Sequence, residues 1–142
     1  MIPFVSGGRT TAGELRLTIP GRPPTPNNRF GNVYAGRSAM KRWRRTAWAI
    51  GLDVKNRSGW VAPARARITL VFHVPDRRPR DTDNLMASCK PLTDGLVDAG
   101  VLVGDRSDVL EWGAPRVEVV RGVMATEYLI EIVEPAPPTL GL

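Results

Sequence analysis

Asp81 and Asp83 stand one residue apart in the segment Asp81-Thr82-Asp83-Asn84-Leu85, and their type and spacing suit metal chemistry. In an extended segment, residues two positions apart project to the same side, so the two carboxylates repel each other. A cation between them removes that repulsion, as does a proton held by one carboxyl group. Hard oxygen ligands favour Mg²⁺, which can polarise a phosphodiester and help to generate a hydroxide nucleophile. The pair therefore indicates magnesium-assisted phosphodiester hydrolysis.

Three arginines, Arg77, Arg78 and Arg80, precede the two aspartates and give the segment a mixed charge. Arginine binds phosphate through two parallel hydrogen bonds, so these side chains are candidates to hold DNA phosphates while the carboxylates hold a metal. A surface loop of mutually neutralising ion pairs, which contribute little stability, explains the same residues equally well. The spacing alone leaves both interpretations open.

A third acid, Asp105, follows a helix that the sequence predicts over residues 84–99 and that Gly100 closes. A helix of about 16 residues rises roughly 24 Å, so the chain must fold back for Asp105 to join the pair. We expect a short strand and loop over residues 101–109 to pair with the sheet and make that return. Pro91 lies inside the predicted helix and predicts a kink or two short helices, with Pro91 near the start of the second.

Alternation of polar and apolar residues predicts the strands that must support these residues. The alternation is clearest over 67–74, where it places His73 on the face away from the apolar side chains. Residues 14–19 predict a further strand. Residues 110–120 and 126–133 predict two more, which can form a hairpin around Gly122.

A long amphipathic helix is predicted from Ser38, a capping residue, to about Lys55. One face carries the apolar residues Trp43, Ala47, Ile50 and Val54, and the other carries Lys41, Arg44, Arg45 and Trp48. The basic face can lie along a DNA backbone or simply face solvent. The proline-rich segment 20–36 before the helix predicts a stiff loop.

The composition bounds the class of protein. The chain has 142 residues, the length of one domain, with 20 Lys+Arg against 14 Asp+Glu, a net charge of +6 that favours a polyanionic partner such as nucleic acid. A single Cys89 and a single His73 exclude a disulfide framework, a cysteine zinc site and a histidine-pair metal site. The sequence predicts no membrane span and no signal peptide, so we expect a cytoplasmic protein.

The elements together predict an α+β fold, in which a small mixed or antiparallel β-sheet packs with two main helices. Residues 14–134 form the single predicted domain, between a flexible arm at 1–13 and a proline-rich tail at 135–142.

In three segments the chain resembles the RusA-type Holliday junction resolvases. A strand leads into the proline-rich loop Pro23-Pro24-Thr25-Pro26-Asn27-Asn28-Arg29-Phe30. The arginine-rich loop leads into Asp81-Thr82-Asp83-Asn84-Leu85. Finally, Asp94-Gly95-Leu96-Val97-Asp98-Ala99-Gly100 leads to Asp105. The segments occur in the family's order over about residues 15–120, and together they are far more specific than any one of them.

The resemblance implies a homodimeric endonuclease that uses Mg²⁺, with Mn²⁺ as a substitute, to nick four-way DNA junctions symmetrically in recombination and repair. Its catalytic, metal-binding acids fall on Asp81, Asp83 and Asp105. The host implied is a bacterium or one of its phages. DNA contacts are expected from the arginines that precede the acids, from Asn27, Asn28 and Arg29, and from the basic face of the long helix, Lys41, Arg44 and Arg45.

The family also uses a lysine one turn into the helix after Asp-Asn-Leu, and here the sequence departs from the pattern. Simple counting puts Ala87 at that position. A three-residue insertion before Cys89 aligns Lys90 with the family lysine and keeps Asp94 in register, so Lys90 is the predicted catalytic lysine. Gly104 stands where relatives often carry a second acid beside Asp105.

Three alternatives compete with a junction resolvase. The first is a less selective nuclease for flaps or other branched DNA, and the second is a non-catalytic protein that binds branched DNA. The third, a basic RNA-binding or assembly protein, explains the charge but leaves the acids without a purpose.

Overall fold

The computed structural model describes residues 8–11, 13–24 and 33–138, in which six strands and three helices form. In chain order they are β1 (Gly8–Thr11), β2 (Glu14–Pro20), α1 (Val33–Ser58), β3 (Arg65–Val74), α2 (Thr82–Ser88), α3 (Lys90–Asp98), β4 (Leu110–Trp112), β5 (Arg116–Val119) and β6 (Ala125–Glu134). None of the helices in this described part is long and apolar enough to cross a membrane.

All six strands belong to one mixed sheet. Strands β1, β2, β6 and β3 are neighbours in that order and pair antiparallel, while β4 and β5 both run parallel to β3 along its other edge. The two ten-residue strands, β3 and β6, form the centre and pair along almost their whole length. The prediction of an α+β domain with a mixed sheet is confirmed.

The alternation in the sequence explains which face of the sheet is buried. Strand β2 buries every second residue, and so does the first half of β3, so one face presents a continuous apolar surface. Helices α1 and α3 contribute to the same core. Its fully buried members include Leu15, Leu17, Ile68, Phe72, Ala47, Val54, Leu92, Leu96, Tyr128 and Ile130.

Helices α1 and α3 approach each other unusually closely at Gly95. A Cβ atom at that position would lie 2.3 Å from the carbonyl oxygen of Arg44 and 2.9 Å from the backbone nitrogen of Trp48. Only a residue without a side chain permits this approach. The close packing fixes α3, and therefore Lys90 at its first turn, against the long helix.

The break at Pro91 forms as predicted. Helix α2 ends at Ser88 and α3 begins at Lys90, with Cys89 buried between them. Pro91 lies in the first turn of α3, where its missing N–H group leaves no helical hydrogen bond unmade.

Several predicted boundaries need correction. Residues 8–11 of the expected flexible arm form β1, because their backbone pairs with β2. Helix α1 begins at Val33, five residues before Ser38, so Ser38 is not its cap. The expected strand within 101–109 is a series of bends and turns that ends just before β4.

The expected hairpin around Gly122 does not form. The predicted strand 110–120 is divided into β4 and β5 by Gly113, Ala114 and Pro115. Strand β5 lies on one side of β3 and β6 on the other, so the turn at Gly122 carries the chain across the end of β3. Pairing with β3 on both sides replaces the local pairing that the sequence indicated.

His73 is buried rather than exposed, contrary to the alternation on which its placement was predicted. The last five residues of β3 are all buried, so side chains on both faces of the sheet are covered at this end of the strand. Its Nε2 atom lies 3.2 Å from Glu127 Oε1, and Nδ1 lies 3.9 Å from Glu118 Oε2. A carboxylate from each neighbouring strand therefore lies beside the ring.

Candidate active site

Lys90 and two aspartates, Asp94 and Asp105, form a polar cluster at the predicted site. The Nζ atom of Lys90 donates to Asp94 Oδ1 at 2.9 Å and to Asp105 Oδ2 at 2.5 Å. These bonds, with Asp105 the stronger partner, raise the pKa of Lys90, and the same ammonium group lowers the pKa of Asp105. At neutral pH the cluster therefore holds a charged lysine beside an ionised carboxylate.

The return of the chain that brings Asp105 to Lys90 depends on the end of α3. Gly100 has a φ of +78°, and the next amide, of Val101, donates to Leu96 O at 3.0 Å. This is the arrangement that commonly ends a helix at a left-handed glycine. The indole Nε1 of Trp60 then donates to Val101 O at 2.9 Å. Trp60, rather than the predicted strand pairing, holds the return.

Asp81 has a structural function at the start of α2. Its Oδ1 accepts from the backbone amide of Asp83 at 3.0 Å and from that of Asn84 at 3.4 Å, as an N-cap does. Its Oδ2 accepts from the Asn84 side-chain amide at 3.2 Å. Asp83, in the first turn, is exposed to solvent. Both acids are exposed, but only Asp81 caps the helix.

The three predicted acids are not gathered into a single cluster. Within residues 8–11, 13–24 and 33–138, no three Asp, Glu, His or Cys side chains are grouped so as to hold a metal ion. The donor chemistry nevertheless fits Mg²⁺, because carboxylate oxygens are its preferred protein ligands and one or two of them suffice when substrate phosphates and waters complete the shell. The structure brings Asp105 to Lys90, and Asp81 to Asp83.

The arginine-rich loop is organised around Asp76. Arg78 and Arg80 each donate to this carboxylate at 2.9 Å, and Arg80 Nη1 also donates to the carbonyl oxygens of Asp76 and Arg78. The bonds from Arg78 and then Arg80 hold the pKa of Asp76 far below its ordinary value. Arg80 is largely covered, with 14% of its side chain exposed, whereas Arg77 is exposed.

The basic face of α1 is exposed as predicted, and Lys41 and Arg45 lie on it. Arg44 binds Asp98 of α3 with two parallel bonds, Nε to Oδ2 at 2.6 Å and Nη2 to Oδ1 at 2.9 Å. This contact raises the pKa of Arg44 and lowers that of Asp98. Arg44 therefore links the two helices, a function that the sequence did not indicate. The predicted DNA contacts Asn27, Asn28 and Arg29 lie outside the described residues.

Two residues of this region were not predicted from the sequence. Asp94 is four residues after Lys90, a spacing that places both on one face of a helix, and that signal could have found it. Arg22 lies in the proline-rich segment, and burial, followed by the positive charge of Arg80, lowers its pKa. No local pattern connects Arg22 with residues sixty positions away, so only the folded chain shows it.

Comparison with known proteins adds little. No family model matches the chain, and no curated protein matches it. Among solved structures, the chain is similar to one described as a crystal structure of a HypE–HypF complex, with a TM-score of 0.30 and 14% identity. The similarity covers 86% of this chain but 34% of that one, and a TM-score this low supports no conclusion about the fold or function of this protein.

Proposed function

We propose that this protein is a magnesium-dependent endonuclease that resolves four-way DNA junctions by paired, symmetric nicks, and that it acts as a homodimer in the cytoplasm. The observation that carries the proposal is the contact between Lys90 and Asp105, which lie 15 residues apart. The resemblance to the RusA-type resolvases assigns a catalytic role to both residues. Their contact supports the three-residue insertion that excludes Ala87, which lies on α2, from the lysine position.

The charges of the cluster suit phosphoryl chemistry. Lys90 is protonated at neutral pH, and the two carboxylates raise its pKa further, so it can offset negative charge on a phosphate or orient an attacking water. Asp105 stays ionised beside it. Mg²⁺ would be held by carboxylates from the set that the resemblance assigns, Asp81, Asp83 and Asp105, one or two of which suffice when a DNA phosphate and waters complete its shell. The bound metal would activate a water and neutralise charge on the phosphoryl oxygens.

The protein has exposed cations that suit a DNA backbone. Arg77, Arg78, Lys41 and Arg45 are exposed cations, and the whole chain carries a net charge of +6. A cationic surface attracts DNA of any sequence, and the attraction weakens steeply with salt. Preference for a junction over linear duplex must then come from shape and from two sites acting together. A homodimer provides two sites because its symmetry matches the local two-fold symmetry of the junction.

The proposal is tested by nicking of a labelled synthetic four-way junction, with and without Mg²⁺, beside linear duplex. Asp83→Asn is the informative variant, because Asp83 is exposed while Asp81 caps α2, so the change removes a charge without removing the cap. Asp53→Asn is the matched control. Asp53 is also exposed and forms a surface ion pair with Arg57 at 2.9 Å, the kind of contact that contributes little stability.

We expect paired, magnesium-dependent nicks at the junction with wild-type protein and Asp53→Asn, and a loss of nicking in Asp83→Asn with junction binding retained. Nicking of flaps and duplex at similar rates would favour the less selective nuclease. Tight junction binding without cleavage in Mg²⁺ or Mn²⁺ would contradict the catalytic proposal and leave a DNA-binding protein.

A further inference from the structure

Strand β5 forms an exposed edge of the sheet. It pairs with β3 on one side, and no further strand lies against its other side in the part of the chain that the structure describes. All four of its residues are exposed, and Val117 and Val119 are 40% and 48% accessible to solvent. Proteins commonly protect such an edge with lysine, proline or a bulge, because its backbone groups can pair with another chain. Strand β5 contains neither lysine nor proline, and its register with β3 has no bulge.

The pairing of β5 with β3 determines which backbone groups face the open edge. The amide of Val120, the next residue after β5, donates to Val74 O at 2.8 Å. In a regular parallel ladder alternate residues point the same way, so Arg116 and Glu118 also turn their amide and carbonyl groups toward β3. Val117 and Val119 therefore turn theirs outward, where a further strand can pair with them.

The sequence of β5 is complementary to itself. In an antiparallel ladder, residues directly opposite each other either exchange both hydrogen bonds or exchange none. Two copies of β5 that pair about a two-fold axis at Val117 meet this condition, because Val117 of each copy points outward toward Val117 of the other. In this register Arg116 of one copy lies opposite Glu118 of the second, and the axis repeats the contact. Opposite charges at such directly facing positions stabilise a sheet.

Other two-fold registers lack this complementarity. An axis at Glu118 sets two like charges opposite each other, which is destabilising, and it brings together residues whose backbone groups face β3. An axis at Val119 sets Glu118 opposite Val120 and Arg116 opposite Gly122, which lies in the turn after the strand. Charge and backbone direction thus select a single register. A surface that fits itself about a two-fold axis is the surface of a symmetric dimer, so the occupant is a second copy of this chain.

We propose that two copies of this chain associate by antiparallel pairing of their β5 strands, centred on Val117, so that their sheets become one continuous sheet. The proposal names the interface of the homodimer in the proposed function, and it rests on that function only for its use in paired cutting. The two-fold axis is perpendicular to the sheet, so α1 and α3 of both copies lie on the same face. Both α3 helices, which carry Lys90, then lie on one side of the joined sheet, as cutting a single junction twice requires.

The oligomeric state of the full chain tests the interface without DNA. Sedimentation velocity over a series of concentrations measures the dissociation constant of the dimer, and circular dichroism checks that each variant is folded. Val117→Pro removes an outward amide and leaves the ladder with β3 complete, since an edge strand tolerates proline where the nitrogen faces solvent. We expect it to weaken the dimer about tenfold or more, because two hydrogen bonds are lost. Val117→Thr keeps the amide and the shape of the side chain, so it should still dimerise.

Charge reversal tests the register. Arg116→Glu makes both members of each facing pair acidic, and Glu118→Arg makes both basic, so each variant alone should dimerise more weakly than wild type. A mixture of the two variants should recover the dimer, because opposite charges again face each other across the axis. Arg57→Glu, on the exposed end of α1, is the matched control for a reversed surface charge and should dimerise as wild type does.

The outcomes separate the interface from the nuclease. If wild-type protein stays monomeric, or if Val117→Pro and Arg116→Glu dimerise as tightly as wild type, the β5 interface is overturned. In the second case the proposed nuclease stands, with a dimer that uses another surface. A mixture of the charge variants that stays monomeric overturns the register. A dimer that Val117→Pro dissociates, in a protein that cuts no junction, supports the interface and contradicts the nuclease. Should Val117→Pro not fold, wild-type dimerisation of both charge variants overturns the interface instead.

Discussion

At the scale of single residues, the position of Lys90 between Asp94 and Asp105 determines what the site can do. An ammonium group held by two carboxylates keeps its proton and its orientation, and both are needed if it is to act on a phosphate. The contact is exposed, since 65% of the Lys90 side chain is accessible to solvent. We therefore expect the Lys90 contacts to matter for catalysis and to contribute little to stability.

Replacing Lys90 with Met should reduce junction nicking about 100-fold or more, the range expected when a positioned charged or proton-transferring group is lost. Junction binding and the melting temperature should change little, because Lys90 lies on the surface. Single-turnover nicking with saturating protein measures the effect. Arg57→Met, on the exposed end of α1, serves as the control, and an equal loss in both variants would contradict the assignment.

Asp94→Asn should shift the alkaline limb of the nicking profile to lower pH. Asp105 and Asp94 raise the pKa of Lys90. The stabilisation that they give the ammonium group is therefore fully present at pH values below the ordinary pKa of lysine, and it is lost as the pH rises through the raised pKa. Removing the Asp94 charge lowers that pKa, and the lysine then loses its proton earlier. Nicking rates across the alkaline range, with Asp53→Asn as the control, measure the shift. An unchanged profile would show that Lys90 does not titrate in that limb.

Much of the candidate site was predicted from the types of its residues. Asp105 and Lys90 were singled out through the resemblance to a family, and the structure brings the two side chains into contact, while their catalytic roles stay predictions. The capping bonds of Asp81 and the pairing of Arg44 with Asp98 could not, since one acid in a motif resembles another until its neighbours are placed. Arg22 shows the same limit most clearly, because its neighbours come from the loop before α2 and from the end of that helix.

At the scale of elements, the contact of α1 with α3 positions the site. Helix α3 carries Lys90 and Asp94, and it is held on α1 by the close approach at Gly95 and by the Arg44–Asp98 pair. The break at Cys89 separates this unit from α2, which carries the acids Asp81 and Asp83 near its start. The two halves of the predicted site thus belong to different helices with one buried joint between them.

Gly95→Ala should destabilise the protein by about 1–3 kcal/mol, as overpacking of a closely packed position does. Alanine is itself favoured over glycine in a helix by about 1 kcal/mol, so a net loss would show that the clash with the Arg44 carbonyl oxygen dominates. Urea unfolding monitored by tryptophan fluorescence measures the change. Gly104→Ala is the control, because a Cβ there would meet Val109 at an ordinary 3.5 Å.

The elements themselves were predicted unevenly, for a physical reason. Strands β2 and β3 and the break at Pro91 follow from local alternation and from proline geometry. The wrong predictions concern tertiary structure: β5 pairs with β3 rather than with β6, and His73 is buried although it lies on the face away from the apolar side chains. Long-range pairing outweighed the local turn signal at Gly122.

At the scale of the whole molecule, one chain provides one Lys90 cluster, and a junction requires two cuts. The proposal therefore predicts a particle of twice the 15.6 kDa chain mass, measured by light scattering at the concentrations at which junctions are nicked. The two nicks on one junction should also appear within the lifetime of a single complex. A monomer that makes paired nicks would contradict the dimer, and a dimer that makes single, unpaired nicks would contradict the symmetric mechanism.

The buried thiol at the joint of α2 and α3 has a practical consequence. Cys89 is 1% exposed, and burial raises its pKa to about 12, so it is shielded from alkylating reagents while the joint is closed. Because Cys89 is the one cysteine of the chain, the rate at which it is labelled would report how fast α2 and α3 separate in the unmodified protein. A reporter thiol introduced on the surface would react well before it, so fluorescent probes can be attached without removing the native cysteine.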